Sequence, residues 1–332
     1  MKLTNLLLII LLVNLGCQAQ TDTKMKDKNE NPLLCDPEKG ICEIPASNET
    51  KNAVHTSGKN KPVKIIYFTD PICSSCWGIE PQLRKLKLEY GGSIEIEYHM
   101  GGLLRDWNYN SGGISKPSDV AHHWDEVSNY YDMPIDGDVW LEDPLNSSFP
   151  PSVAFKAAQI QDELKAITFL RRIREMVFIE KKNITKWEHL AMAATESGLD
   201  AVKLKLDYDT KAKVLFEEDL SLAGKLHVRG FPTLFFIDSL ANQQMVYGFK
   251  PYQTFVDAVL KTDPNAIKKS YDTSWTGLFN KFSSLTAKEF SELSGLTKQE
   301  SETLLDKLTK EGMLNKTTTK NGAIWHIKNS RN

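Results

Sequence analysis

Three things are scarce in this 332-residue chain: cysteine, net charge and long apolar runs. Cysteine occurs five times, at Cys17, Cys35, Cys42, Cys73 and Cys76. Only Cys73 and Cys76 have the close spacing of half a zinc site, and a tetrahedral site wants a second such pair. Cys35 and Cys42 have six residues between them in a polar stretch, so zinc is disfavoured. Neither a metal nor another cofactor is expected. The net charge is −2, which implies no global attraction to nucleic acid or acidic lipid. The one apolar run, Leu3 to Leu15 behind Met1-Lys2, is too short for a comfortable membrane span, and nothing like it recurs downstream. What remains is ordinary for a soluble globular protein, with 41% hydrophobic and 25% charged residues.

The apolar run reads as a signal peptide, residues 1–17. Leu15-Gly16-Cys17 has the form of a lipobox, which would lipidate Cys17, although Asn14 stands where an aliphatic residue is usual. Cys17-Gln18-Ala19 offers ordinary signal peptidase a competing cleavage site. Either processing leaves two close cysteine pairs in an oxidising compartment. The expected location is the cell envelope, with membrane contact through a lipid anchor. Residues 18–60 are too polar to form a core and are expected to be a flexible tether. Within it, Pro37 and Gly40 favour a turn that would let Cys35 and Cys42 form a disulfide.

From Pro62 the pattern becomes globular. Val63 to Phe68 is a buried-strand signal, and Cys73 to about Tyr90 has helical periodicity ended by Gly91-Gly92. Ile94 to Tyr98 alternates as a strand, completing a βαβ unit. Residues from about 115 to 226 look almost wholly helical. Ser118-Asp119 and Pro150-Pro151 open two helices, the second carrying Phe155, Ala158, Ile160 and Leu164. Ile167 to Phe178 marks a third and Trp187 to Ala194 a fourth, and Asp200 can cap a fifth. Thr233 to Ile237 and Gln244 to Tyr247 read as a hairpin, with a closing helix from Tyr252 to Leu260. Without the helical block this is the element order of a thioredoxin core. After a linker near 262–272, residues 273–332 form a separate small unit. Thr286 and Thr297 open helices there and Ala323 to Ile327 reads as a strand, a winged-helix-like order.

Cys73-Ser74-Ser75-Cys76 falls between a strand and a first helical turn. Unpaired N–H groups and the helix dipole there stabilise a thiolate at Cys73, and Cys76 one turn later can resolve a mixed disulfide. Cys73 is therefore expected to be the attacking thiolate, with an accessible sulfur. A purely structural disulfide is the alternative, and it would constrain little of the chain. Val228-Arg229-Gly230-Phe231-Pro232-Thr233 places a proline just before a strand. A cis Phe231-Pro232 bond would set that backbone beside the cysteines, to pair with an extended substrate; an ordinary trans turn proline fits the pattern equally well. Trp77 either lines the substrate groove or simply packs. Asp70 either assists proton transfer or caps the turn at Pro71.

Asp70-Pro71-Ile72-Cys73-Ser74-Ser75-Cys76-Trp77-Gly78-Ile79-Glu80-Pro81 resembles the active-site signature of the DsbA-like branch of the thioredoxin superfamily, within it the FrnE-type dithiol–disulfide isomerase group. Val228 to Thr233 resembles its cis-proline loop, and Ser147-Ser148-Phe149-Pro150, Phe155-Lys156-Ala157-Ala158 and Phe178-Ile179-Glu180 resemble its helical insertion. The resemblance covers about residues 61–262. It implies an α/β fold with a thioredoxin-like core and an inserted helical domain. It also implies a cis bond at Pro232 and a redox pair at Cys73 and Cys76. Ser74-Ser75 departs from the histidine that strong oxidants carry between their cysteines, so a less oxidising site is implied.

The expected function is thiol–disulfide exchange on exported proteins, with protein thiols or disulfides as substrates and an unidentified redox partner. The alternative is a chaperone or adaptor that keeps the fold without turnover, because related cytoplasmic proteins act as protease adaptors. His122-His123 sit adjacent on a helix and face different ways, so a shared metal ion is not expected. The mixed charges of the C-terminal unit and the export signal argue against nucleic acid as a partner.

Overall fold

The computed structural model describes residues 35–36, 41–43, 61–108 and 115–328. The leader with Cys17, most of the tether and the side chains of Cys35 and Cys42 lie outside the described residues, and the expected Cys35–Cys42 disulfide with them. Two short strands precede the core, β1 (Cys35–Asp36) and β2 (Ile41–Glu43). The core begins with β3 (Val63–Thr69), which is buried along nearly its whole length. It reads as a continuous apolar run because it lies inside the sheet with both faces covered. Helices α1 (Ser74–Gly78) and α2 (Glu80–Tyr90) lead to β4 (Ile94–Met100), which pairs parallel with β3 from Val63↔Ile94 to Thr69↔Met100.

The single helix expected from Cys73 to Tyr90 is two. Pro81 has no N–H to donate, and its ring would meet the carbonyl of residue 77 in a continuous helix. The chain therefore breaks at Ile79 and restarts with the proline in the first turn of α2.

The helical block follows as α3 (Pro117–Tyr131), α4 (Val139–Glu142), α5 (Phe149–Gln161), α6 (Glu163–Phe178), α7 (Trp187–Glu196), α8 (Ala201–Asp209) and α9 (Ala212–Lys225). Leu164 belongs to α6 rather than to the helix before it. Asp162 ends α5 and caps α6 by accepting from the N–H groups of Leu164 and Lys165, which leaves Leu164 on the surface. The chain returns as β5 (Gly230–Phe231), β6 (Thr233–Ile237), β7 (Gln243–Tyr247) and α10 (Tyr252–Thr262). β6 pairs antiparallel with β3, giving the sheet order β4-β3-β6-β7. This is a thioredoxin-type core interrupted by helices.

The last unit holds α11 (Trp275–Phe279), β8 (Ser284–Thr286), α12 (Ala287–Ser294), α13 (Lys298–Lys310), β9 (Leu314–Thr319) and β10 (Gly322–Ile327). Its three strands form a separate antiparallel sheet in the order β8-β10-β9. Leu278, Phe290, Leu305 and Trp325 belong to its own core. Thr286 with Glu289, and Thr297 with Glu300, form capping boxes at the starts of α12 and α13. Among the described residues, no helix is long and apolar enough to cross a membrane.

Candidate functional site

Strand β3 ends at the Asp70-Pro71-Ile72 turn, which delivers Cys73 to the cap position of α1. Its sulfur accepts from the Cys76 N–H at 3.1 Å, and a disulfide joins the two cysteines with Cα atoms 5.2 Å apart. Asp70 holds the turn. One carboxylate oxygen accepts from Ile72 N at 3.0 Å. The other accepts from Leu103 N at 2.7 Å and from the Ser148 hydroxyl at 2.8 Å. Burial pushes its pKa up to about 6 despite these donors and the nearby Arg174 cation. The Ile72 bond caps the turn, and the Leu103 and Ser148 bonds tie the same carboxylate to two other segments.

The Phe231-Pro232 bond is cis. The Thr233 hydroxyl donates to Gly230 O at 2.7 Å, and Gly248 N donates to Pro232 O at 2.9 Å, so the loop is tied on both sides. The Phe231 ring lies on Gly101, where a Cβ would come within 1.7 Å of it. Only glycine leaves room for that ring. One feature lies outside any expectation from sequence. β2 pairs antiparallel with β5, setting Cys42 opposite Phe231 and Glu43 opposite Gly230.

Two placements differ from expectation. Cys73 is 0% exposed, so its sulfur is not accessible in this oxidised form. Trp77 is also fully buried and does not line an open groove. Its indole N–H donates to Pro134 O at 3.1 Å, its ring stacks on Phe178 at 5.4 Å, and the Arg171 guanidinium lies 4.2 Å from its centroid. Beside it, the Ser75 and Tyr131 hydroxyls are 2.6 Å apart. His122 is exposed and His123 is buried, and their ring nitrogens lie 3.1 and 4.0 Å from the two carboxylate oxygens of Glu126.

A buried ionic layer under the site was not anticipated. Arg174, 0% exposed, donates to Glu80 at 2.6 Å, to the Thr69 hydroxyl at 2.5 Å and to Asp70 O at 3.2 Å. One turn earlier, Arg171 donates to Glu175 at 2.7 Å and, through both terminal nitrogens, to Glu289 of α12 at 2.8 and 3.0 Å. Arg84 of α2 lies 3.3 Å from the same carboxylate and donates to Ser284 O at 2.8 Å. Burial alone would raise the Glu289 pKa, but the two arginines outweigh it and hold it below the usual range. The only sequence signal was charge at inward positions of α6, and a charged residue at a helical spacing is normally read as surface.

A four-stranded thioredoxin-type sheet, a Cys-x-x-Cys pair at a helix start and a cis-proline just before a central strand define the thioredoxin class of fold. The chain belongs to the thioredoxin family, whose family model matches residues 67–257, more than half of its length. The fold is shared with a proposed protein disulfide isomerase from Nitrosomonas europaea. That crystal structure has a TM-score of 0.52 and 18% identity, and the match covers 61% of this chain and 96% of that one. The sequence relatives point elsewhere. The ClpXP adapter protein SpxH of Halalkalibacterium halodurans is 33% identical, with 90% of this chain and 98% of that protein covered. The protein of that name from Bacillus subtilis is 29% identical over 80% of this chain and 89% of its own length.

These relatives correct the functional expectation. A redox enzyme working on exported proteins is not what chains of this full length are named for; they are named adapters. The expected partners fall with it: thiol or disulfide substrates, a redox partner and a lipid-anchored membrane contact. The fold neighbour covers 61% of this chain, against 90% for the adapter relative.

Proposed function

We propose that this protein is an adaptor, which uses a thioredoxin-type scaffold to hold a polypeptide for a ClpXP protease, without thiol turnover. One observation carries the reading. The disulfide-isomerase-like structure matches only 61% of the chain, whereas the adapter relative matches 90% of it. The tenth left uncovered is smaller than the unit from Trp275 to Ile327, so the adapter match takes in part of that unit. The likeness to the adapter relative thus extends beyond the stretch that the disulfide-isomerase-like structure covers, which supports the adaptor reading.

The test uses the full chain and a Cys73→Ser/Cys76→Ser variant, both checked for native circular dichroism. Immobilised on resin, each should retain purified ClpX to the same extent, and neither should speed the reduction of insulin by dithiothreitol. Failure of the unaltered chain to retain ClpX would overturn the proposal, as would insulin turnover that disappears with the cysteines.

A further inference from the structure

We infer that strand β7 is a self-complementary edge through which two copies of this chain associate, pairing antiparallel about a two-fold axis at Gln244 so that their sheets run on into one. The inference is independent of the adaptor reading above and adds a second copy of this chain as a partner.

The two edges of the core sheet differ. β4, at one end, carries Glu95, Glu97 and His99, and the Asp219 carboxylate of α9 takes its Met100 N–H at 2.9 Å. Charge and side-chain cover are how proteins keep an edge from pairing. β7, at the other end, reads Gln243-Gln244-Met245-Val246-Tyr247, with neither a charge nor a proline. Gln243, Gln244 and Met245 are exposed. The groups this edge offers follow from the β6–β7 ladder. Gly248 N donates to Pro232 O at 2.9 Å and Asp238 N to Asn242 O at 3.1 Å, which fixes the alternation. Residues 242, 244 and 246 turn their backbone groups toward β6, so Gln243 and Met245 turn theirs off the sheet. Among the described residues, no strand pairs with that side of β7.

Register and charge select a second copy as the occupant. An antiparallel pair centred on Gln244 sets Gln243 of each copy opposite Met245 of the other. Both residues point their N–H and C=O outward, so each such pair exchanges both of its bonds. The same register sets Asp238 opposite Lys250, because the two lie equally far from Gln244 on either side. A two-fold axis makes that contact twice, anion against cation each time. Parallel pairing would instead set Asp238 beside Asp238 and Lys250 beside Lys250. The apolar surface agrees with the same register. Leu240, 81% exposed at the hairpin turn, falls opposite Gly248, where no side chain obstructs it. Met245, 61% exposed, gains the Gln243 side chain as its cross-strand neighbour. A foreign extended polypeptide would gain the backbone bonds without the matched ends.

Sedimentation equilibrium of the full chain measures the association, and two kinds of variant locate it. Met245→Pro removes an N–H that β6 does not use, and proline is tolerated on an edge strand. Its unfolding midpoint should hold while dimerisation weakens roughly tenfold or more. Gln244→Cys, in a Cys17→Ser/Cys35→Ser/Cys42→Ser background, reports the register. Non-hydrogen-bonded antiparallel partners have Cα atoms about 4.5 Å apart, within reach of a disulfide. Air oxidation should therefore cross-link this variant into dimers on a non-reducing gel. Gln243→Cys in the same background should cross-link far less, because the two copies of that residue lie on a diagonal of about 7–8 Å. A monomer at every concentration would overturn the inference. So would a dimer that Met245→Pro leaves intact, or equal cross-linking of the two cysteine variants. If Met245→Pro disturbs folding, the cross-linking comparison decides alone.

Discussion

Asp70 shows how one buried carboxylate makes stability depend on pH. Its pKa is raised from 3.8 to about 6, because burial disfavours the charged form more than three hydrogen-bond donors favour it. The folded state therefore keeps a proton that the unfolded state releases. That stabilisation is full below about pH 3.8 and is lost as pH rises through about 6. The loss is on the order of 3 kcal/mol for this shift. Asp70→Asn removes the titration, and it also turns an amide N–H₂ against a backbone donor at Ile72 or Leu103, at a cost of roughly 1–3 kcal/mol. Urea unfolding should show the variant less stable at pH 4, with the difference closing at pH 7, where the unaltered chain has lost its Asp70 contribution. The gap between the chains should be wider at pH 4. Parallel curves would show that Asp70 does not titrate in this window.

Helix α6 carries both Arg171 and Arg174, so its start and orientation set the ionic layer under the cysteine pair. Its cap is Asp162, and Asp162→Ala should cost about 1 kcal/mol in a chemical unfolding titration. No change would mean that packing alone fixes the helix start. The same residue explains what the sequence concealed. Apolar spacing ran on from Ile160 to Leu164 because two consecutive helices share a similar phase, and only the Asp162 cap separates them. By contrast, β3, the capping boxes at Thr286 and Thr297 and the helix cap at Asp200 were legible, because each is a local pattern with a local cause. The two loops around Cys73 and Pro232 were legible as motifs. The β2–β5 pairing was not, because Cys42 and Phe231 are far apart in sequence and backbone pairing leaves no side-chain signature. Function was misread for a related reason. Cys-x-x-Cys advertises redox chemistry in any chain, whereas the parts matched only by the adapter relatives carry no such motif.

At the scale of the molecule, the C-terminal unit is locked to the core through Glu289, which Arg171 of α6 and Arg84 of α2 grip together. Arg84 also lies 4.5 Å from the centroid of the Phe282 ring, and Asn321 reaches back to Asp125 and Ile135 O. Arg171 touches Trp77, next to Cys76, so one arginine contacts both the last unit and the wall of the site. The clamp holds the last unit in a fixed relation to α2 and α6 of the core. Glu289→Gln leaves two buried cations without their carboxylate, which should destabilise the junction by about 3–5 kcal/mol. The lowered pKa of Glu289 gives the matching pH signature: the clamp's contribution is present above about pH 4.5 and is lost as pH falls through the lowered folded value. Amide exchange is the direct measurement. In Glu289→Gln, protection across residues 284–327 should fall while β3 keeps its own, because the last unit then opens without the core. Equal loss in both regions would mean that the clamp is one packing contact among many and that the two units do not open separately.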